Sequence, residues 1–233
     1  MKLQKALIGG LNNRPVREWI IGDQYCLVNS TRWGLAANPQ DRPHTKFEGH
    51  QKFESKELAS LLLNEDTGKA CLGMAAVNSD MKIDSRLFRQ GNLVDLILSG
   101  SEAKTLAFIG HFHFLNDRKA IPEKTMVFEL DPQPGDLPYD SLPKYLPRAD
   151  VVAMTGMTIV NHTFSEVMKH IRKDAKVFML GASAPLNPIL FDFGIDAIGG
   201  IMVEDPEGAK ALARGEIGIR KAFGLKKVIM TKG

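Results

Sequence analysis

The sequence has few cysteines, no long apolar run and little excess of charge of one sign. Its 233 residues contain only Cys26 and Cys71, which form no C-x-x-C pair. Isolated cysteines of this kind are typical of a reducing cytosol. Since free cysteine packs as a small hydrophobe, we expect both to be buried free thiols.

No apolar stretch approaches the roughly 20 residues that span a bilayer. The N-terminal sequence MKLQKALIGGLNN has a short, glycine-containing apolar part that does not fit a signal peptide. Lys and Arg number 30 against 27 Asp and Glu, a net charge of +3 without a long basic run. These features predict a cytoplasmic protein with no membrane or nucleic-acid partner.

Two familiar glycine fingerprints are also missing. Gly110 stands alone after its apolar run, where a dinucleotide-binding loop has G-x-G-x-x-G, although Glu129 follows at the spacing of a ribose-binding acid. A smaller adenosine-like or pterin-like ligand, which needs no pyrophosphate cradle, fits better than NAD or FAD. Ser183 and Thr158 lie in glycine-containing segments but in no G-x-S-x-G elbow, which argues against a serine hydrolase.

The second half alternates apolar, β-rich segments with helical ones. The β-rich segments are residues 105–109, 125–130, 150–155, 175–180, 196–203 and 226–230. Continuous apolar strands that alternate with helices predict a parallel sheet covered on both faces. The pattern Thr163-x-x-Glu166 predicts a capping box at the start of one helix.

The first half predicts a small α+β unit. Short strands are expected in 17–30 and 32–39 with a turn at 30–32, and helices in 56–66 and 67–81. The polar stretch 38–55 is long for a structureless connection, so it is either a mobile functional loop or an insertion. We therefore predict two domains, residues 1–98 and 99–233, in an α/β protein.

Glycines and polar residues follow several predicted strands. Ligands of open α/β sheets bind beyond the carboxyl ends of the strands, and glycine lets the backbone approach them. The segments in question are Gly110-His111-Phe112-His113, Glu129, residues 155–161 and residues 181–188. The sequence therefore predicts a ligand site at this edge.

The two histidines of this edge also allow a metal site. In an extended segment His111 and His113 point the same way, and imidazole is a common metal ligand. Candidates for a further ligand are Glu129, Asp131, His44 and His50. The alternative is that Phe112 and Phe114 pack while the histidines face a cleft or solvent. His162 and His170 are expected at the surface.

Several segments together resemble a known family. Two segments of the second half, LPRADVVAMTGMTIVNHTF followed by GASAPLNPILFDFGIDAIGGIMVEDPE, resemble proteins described as "putative heavy-metal chelation". In the first half, RWGLAANP and LGMAAVNS resemble the companion N-terminal domain of that family. The resemblance implies an enolase-N-terminal-like domain followed by a Rossmann-like domain, with a ligand site in the cleft between them. The positions that it marks are Gly34, Asn78, Gly110, Phe112, Glu129, Thr155, Gly156, Asn161, Thr163, Gly181, Ser183 and Pro185. The sequence departs from the family at His113 and Ala182, where prolines are usual.

The leading hypothesis is a protein that binds a small planar polar ligand, pterin-like, nucleoside-like or a metal chelate, in the interdomain cleft. Gly110, Gly156 and Gly181 would give backbone access to the ligand. Hydrogen bonds would come from Glu129, Thr155, Asn161 and Ser183, and Phe112 would give a stacking surface. His111 is the candidate general acid or base. Direct metal binding by His111 and His113 is the alternative, and a non-catalytic scaffold is the third. The cofactor, any catalysed reaction and homo-oligomer formation are left open.

Overall fold

The computed structural model describes residues 1–38, 47–49, 52–100, 104–117 and 121–232. The strands are β1 (Pro15–Val16), β2 (Glu18–Ile21), β3 (Tyr25–Asn29), β4 (Trp33–Ala37), β5 (Phe47–Gly49), β6 (Phe53–Glu54), β7 (Phe88–Gln90), β8 (Leu106–Ile109), β9 (Thr125–Glu129), β10 (Leu137–Pro138), β11 (Val151–Thr155), β12 (Lys176–Leu180), β13 (Ala197–Val203) and β14 (Leu225–Thr231).

The α-helices are α1 (Lys2–Gly9), α2 (Ser55–Ala59), α3 (Thr67–Asp80), α4 (Leu93–Ser99), α5 (Leu142–Tyr145), α6 (Met157–Val160), α7 (Phe164–His170), α8 (Ile189–Asp192) and α9 (Pro206–Ala213). Short 3-10 helices cover Ser60–Leu63, Ser85–Leu87, His113–Asn116, Tyr139–Ser141, Leu146–Arg148 and Ile219–Lys221. Within the described ranges, no helix combines the length and the apolar composition that crossing a bilayer requires.

The main sheet of the described chain has eight strands in the order β10-β9-β8-β11-β12-β13-β14-β7. The strands from β10 to β13 are mutually parallel. This arrangement confirms the predicted α/β class. The segment 226–230 was expected to be one more parallel strand, and this is wrong: β14 runs antiparallel to β13, and β7 runs antiparallel to β14. An apolar strand pattern fixes burial but does not fix direction.

The strand order reverses between β8 and β11. From β8 the chain passes to β9 and β10 on one side of β8, and the strands from β11 to β14 then lie on its other side. In an open α/β sheet the crevice outside such a switch point is the usual ligand position. The carboxyl ends of β8 and β11 therefore define where a ligand site is expected.

The central strands are apolar throughout because both faces of the sheet are covered. Leu106 and Phe108 of β8 pack on the face that helix α4 covers. Ala107 and Ile109 point to the other face, into the large core that contains α3 and α7. Since alternate residues face opposite sides and both sides are buried, the strands read as continuous apolar runs.

The first half contains a second sheet, antiparallel and ordered β4-β3-β2-β5, on which helix α3 packs. Helix α3 was predicted to be largely buried, and this is confirmed. Small residues make the close packing possible. A Cβ at Gly34 of β4 would lie 2.2 Å from the carbonyl oxygen of Ala75, and one at Gly73 would lie 2.2 Å from the backbone nitrogen of Leu62.

Three local expectations for the first half need correction. Residues 17–30 form two strands, β2 and β3, joined by a turn in which the Gly22 N–H donates to the Tyr25 carbonyl oxygen. The helix expected over 56–66 is α only to Ala59 and continues as a 3-10 helix to Leu63. The polar stretch 38–55 includes β5 and β6, while its residues 39–46 and 50–51 lie outside the described residues.

The capping box expected for helix α7 does not form. The helix begins as predicted, after Thr163. The Thr163 hydroxyl, however, donates to Asn161 Oδ1 at 2.7 Å, and the Glu166 carboxylate accepts from Lys169 and contacts His170. The N-cap residue here has helical backbone angles, whereas the box requires an extended N-cap.

The two halves share a hydrophobic core. One continuous buried cluster includes Leu3 and Met74 from the first half and Met154 and Val167 from the second. Strand β7 pairs with β14 of the main sheet although it precedes the boundary expected at 98. The division into domains 1–98 and 99–233 stays a prediction.

A buried carboxylate fixes the C-terminal end of α3. Asp80 is fully buried and accepts hydrogen bonds from the backbone N–H groups of Asn13 and Arg14 and from the hydroxyls of Thr31 and Ser55. Burial acts to raise the pKa of Asp80, but these hydrogen bonds outweigh it and the pKa is lowered. The ionised side chain therefore connects the end of α3 to the turn between β3 and β4 and to the residues that precede β1.

We expect Asp80→Asn to lower the free energy of unfolding at pH 7 by about 1.5–3 kcal/mol, the usual contribution of hydrogen bonds to a charged group. Because the folded pKa of Asp80 is lowered, its stabilisation is present above the ordinary value of 3.8 and is lost as the pH falls through the folded value. Urea denaturation between pH 7 and pH 3 measures both effects.

Asp84→Asn is the matched control for this prediction. Asp84 pairs with Arg86 at the surface, and exposed ion pairs contribute little to stability. The role given to Asp80 is contradicted if Asp80→Asn is as stable as the wild type at pH 7. It is also contradicted if the stability loss of Asp80→Asn is as large in acid as at pH 7.

Candidate functional site

Four of the predicted site residues meet at the carboxyl edge of the main sheet. Gly110 follows β8 with φ +102°, and a Cβ there would lie 2.8 Å from Cγ2 of Thr155, the last residue of β11. Gly181 follows β12 with φ +106°, and its Cβ position lies 4.0 Å from Thr155 Oγ1. Glu129 Oε2 is 3.9 Å from the Cβ position of Gly110. These residues surround the switch point and are half-buried.

Glu129 holds the loop that follows β8. Its Oε2 accepts from the backbone N–H of His111 at 2.7 Å, and its Oε1 accepts from the N–H of Leu130 at 2.9 Å. The carboxylate thus closes the turn at the end of its own strand and the turn at the end of β8. Both oxygens retain further acceptor capacity, since a carboxylate has about four acceptor positions.

The His111 side chain is fixed at both ring nitrogens. Nδ1 lies 2.7 Å from Asp136 Oδ2, and Nε2 lies 2.8 Å from Asn116 Oδ1. The side chains of His111 and Asp136 are 8% and 0% exposed. With the ring proton on Nδ1, the imidazole donates a hydrogen bond to the Asp136 carboxylate, and Nε2 is an acceptor. Nε2 then accepts a hydrogen bond from the Asn116 amide if that amide is oriented with Nδ2, and not Oδ1, toward the ring.

The aromatic residues of this loop pack among themselves. Phe112 stacks on Phe114 with ring centroids 5.7 Å apart, and both rings meet Phe108 edge to face. They belong to the core on the α4 face of the sheet. Phe112 and Phe114 therefore pack against the core, as the alternative interpretation of this loop predicted. His113 is exposed.

The predicted loop 181–188 is packed tightly on its neighbours. A Cβ at Gly156 would lie 2.3 Å from the carbonyl carbon of Ser183, so only glycine fits there. The Ser183 side chain is 1% exposed, and its Oγ accepts from the Ala37 N–H at 2.9 Å. Ser183 therefore contacts the first half, and Gly156 packs against the Ser183 backbone within the second half.

Two predicted amide side chains are also engaged within the protein. Asn78 Nδ2 donates to the carbonyl oxygens of Leu35 at 2.8 Å and Ala182 at 3.2 Å. Its Oδ1 is buried without a partner in the described part of the chain. Asn161 Oδ1 accepts from the N–H and hydroxyl of Thr163, which fixes the start of α7.

His162 was expected at the surface, and this is wrong. Its Nε2 lies 2.9 Å from the Leu62 carbonyl oxygen, and its backbone has φ +63°. The ring thus joins the loop before α7 to the first half, a contact that residue spacing cannot show. His170 lies on α7 and contacts Glu166, the residue one turn earlier.

The described residues do not form a complete metal site. Among them, no three His, Cys, Asp or Glu side chains are grouped so that they would hold a metal ion. The two cysteines are buried and unpaired, as expected. Burial raises the pKa of Cys26 to about 12 and also raises the pKa of Cys71, so neither offers a thiolate at neutral pH. His44 and His50, expected as further ligands, lie outside the described residues.

Sequence reasoning missed Asp136 and Asn116, the two side chains that hold His111. Both lie in the connections that follow the predicted strands 105–109 and 125–130, where hydrophobic periodicity gives no signal. Asp136 does lie directly before β10, a two-residue strand that extends the sheet beside β9. A polar residue at the start of a short edge strand was the available hint.

Comparison with known proteins places this fold. The fold defines the class of the protein: an α/β protein with polar residues at the switch point of a mostly parallel sheet. Two family models match, both described as "Putative heavy-metal chelation": DUF364 over residues 92–230 and DUF4213 over residues 4–80. Because the first match covers more than half of the sequence, the chain belongs to the DUF364 family.

Two crystal structures of proteins with unknown function from the DUF364 family are similar to this chain. The protein from Desulfitobacterium hafniense has a TM-score of 0.86 at 20% identity, over 99% of this chain and 98% of that one. The protein from Pyrococcus horikoshii has a TM-score of 0.76 at 18% identity, with the same coverage. Both likenesses concern the fold. Comparison with curated protein sequences gives no match.

Proposed function

We propose that this protein binds a small polar ligand, nucleoside-like, pterin-like or a metal chelate, at the carboxyl edge between β8 and β11. The observation that carries the proposal is the reversal of strand order at the point where Gly110 and Thr155 meet. Ligands of doubly wound sheets bind at such a reversal because the adjacent loops diverge there.

The chemistry of this edge supports a ligand with hydrogen-bonding atoms. Gly110 and Gly181 both have positive φ, and they bring bare backbone to the switch point. Thr155 meets Gly110 through its Cγ2 and Gly181 through its Oγ1, and this Oγ1 accepts a long hydrogen bond, 3.3 Å, from the Met157 N–H. Its hydroxyl proton and the free acceptor positions of Glu129 are the groups a ligand would use.

A chelate fits the family description better than a bare ion held at this edge. Thr155, Gly110 and Gly181 offer one hydroxyl and backbone groups, and heavy metals prefer nitrogen and sulfur donors. An organic ligand that carries its own metal would need only shape and hydrogen bonds from the protein. We also infer a reducing cytoplasmic location, since Cys26 and Cys71 are unpaired.

The proposal is tested by measuring ligand binding to the wild type and to a variant that lacks the Thr155 hydroxyl. Native mass spectrometry of protein purified without an affinity tag identifies a co-purified organic mass, and adenosine and pterin serve as probes in calorimetric titration. We expect Thr155→Val to weaken probe binding about fivefold to tenfold, because a ligand hydrogen bond is lost while the shape is kept.

Thr125→Val is the matched control, because Thr125 begins β9 at the opposite end of the sheet and its hydroxyl bonds the Pro122 carbonyl oxygen. We expect it to bind as the wild type does. The proposal fails if no organic mass co-purifies and neither probe binds, or if Thr155→Val and Thr125→Val lose affinity equally.

Direct metal binding through His111 and His113 is the second candidate function. One observation favours it: the Asp136 carboxylate contacts Nδ1 of His111, which is how metal-binding histidines are commonly oriented with Nε2 toward the metal. The ion would replace the Asn116 contact to Nε2. The exposed His113 side chain is the second donor in this candidate.

Zinc, nickel and cobalt titrations of the apo protein, followed by elemental analysis, test this candidate. This candidate predicts one ion per chain in the wild type and about a tenfold or greater loss of affinity in His111→Ala and in His113→Ala, because even the removal of a partner that only orients a metal ligand commonly costs that much. His170→Ala, on the surface of α7, is the control and should retain the ion. Retention of the ion by both variants would contradict direct binding by this pair.

A further inference from the structure

A cavity of about 400 Å³ opens on the first half of the chain, and its lining is basic. Arg14, Pro15, Arg17, Ser30 and Thr31 line it. The residues of the carboxyl edge take no part in it. Its chemistry is that of two guanidinium groups beside a short strand, β1, and the turn that joins β3 to β4.

The two arginines have no acidic partner in the part of the chain that the structure describes. Both are exposed. Other arginines of this protein are neutralised locally: Arg86 pairs with Asp84 at 2.7 Å, and Arg172 pairs with Asp150 at 2.8 Å. The guanidinium groups of Arg14 and Arg17 are therefore available to an external anion.

The backbone that carries Arg14 is held at both of its polar groups. The Arg14 N–H donates to Ser55 Oγ at 3.0 Å and toward the Asp80 carboxylate at 3.4 Å. Its carbonyl oxygen accepts from the Ser55 N–H at 2.9 Å and from Ser30 Oγ at 3.3 Å. A ligand would thus meet a side chain that starts from a fixed point, which reduces the entropy lost on binding.

The backbone that carries Arg17 is held at its N–H group. The Arg17 N–H donates to the Asn29 carbonyl oxygen at 2.8 Å. Between the two arginines, Pro15 has a locked φ and Val16 is buried. Arg14 and Arg17 therefore line the same cavity from one segment whose backbone is fixed.

The negative charge nearest the cavity is already balanced. Asp80 lies buried beneath Thr31, and Arg32 is the cation that interacts with it; burial lowers the pKa of Arg32 and Asp80 acts to raise it. Glu54 faces Pro15 across the two-stranded β1–β6 sheet, but it is not among the lining residues. Arg14 and Arg17 consequently give the cavity an unbalanced positive charge.

We propose that this cavity binds the phosphate group of a small molecule between Arg14 and Arg17. A guanidinium donates two parallel hydrogen bonds to a phosphate, and two guanidinium groups balance its two charges. The hydroxyl protons of Ser30 and Thr31 are used inside the protein, by the Arg14 carbonyl oxygen and by Asp80. Affinity therefore comes from the two arginines and from the fit of the attached group to the cavity.

The test uses inorganic pyrophosphate and orthophosphate as probes, in calorimetric titration of the full chain at low ionic strength. We expect pyrophosphate to bind with a dissociation constant below about 1 mM, which two charge-assisted contacts can supply. Arg14→Gln and Arg17→Gln should each weaken it about tenfold, and the double variant should abolish measurable binding.

Arg89→Gln with Arg220→Gln is the control variant. Both residues are exposed, so the net charge falls by the same amount elsewhere on the surface. We expect its affinity for pyrophosphate to stay within about twofold of the wild type, since distant exposed charges are screened by salt. Thermal unfolding shows that each variant is folded before titration.

Three results would overturn the proposal. The first is a wild type that binds neither probe at about 10 mM, and the second is a double variant that binds as the wild type does. The third is an equal loss in the control variant, which would assign the binding to net charge alone. None of these results bears on ligand binding at the carboxyl edge, because that site is read out by Thr155→Val with different probes.

Discussion

The contact of helix α3 and strand β4 with the loop after β12 fixes the position of that loop against the first half of the chain. Asn78 donates one amide proton to the Leu35 carbonyl oxygen within the first half and the other to the Ala182 carbonyl oxygen in the second. The Ala37 N–H, at the end of β4, donates to Ser183 Oγ. These contacts are partly buried and directional, so an incorrect fit would leave polar groups unpaired.

Within the set of glycines and polar side chains at this edge, some members pack inside the protein and others remain partly exposed. Gly156 and Ser183 are used for packing, because a side chain at Gly156 would collide with the loop backbone. Gly110, Thr155 and Gly181 stay half-buried at the switch point. The loop after β12, which begins at Gly181, is held in place by the first half of the chain through Asn78 and Ala37.

Much of the fold follows from local patterns, and the rest depends on contacts between distant residues. Strands such as Leu106–Ile109 and the buried helix α3 are predictable, because burial on both sides produces continuous apolar or small-residue runs. The reversed direction of β14 and the pair His111–Asp136 are not, since neither strand direction nor a contact across 25 positions leaves a periodic signal. His162 shows the same limit, because its partner Leu62 is 100 positions away.

Hydrogen exchange at the loop after β12 tests the central claim, that the first half orders the candidate site, most directly. Exchange of peptides that cover residues 181–188 would be compared in the wild type, in Asn78→Ala and in the control Lys69→Ala, an exposed change on the same helix. The account predicts about tenfold faster exchange in Asn78→Ala alone, because the loss of the hydrogen bond from Asn78 to the Ala182 carbonyl oxygen favours local opening of this loop. Equal protection in all three proteins would contradict it.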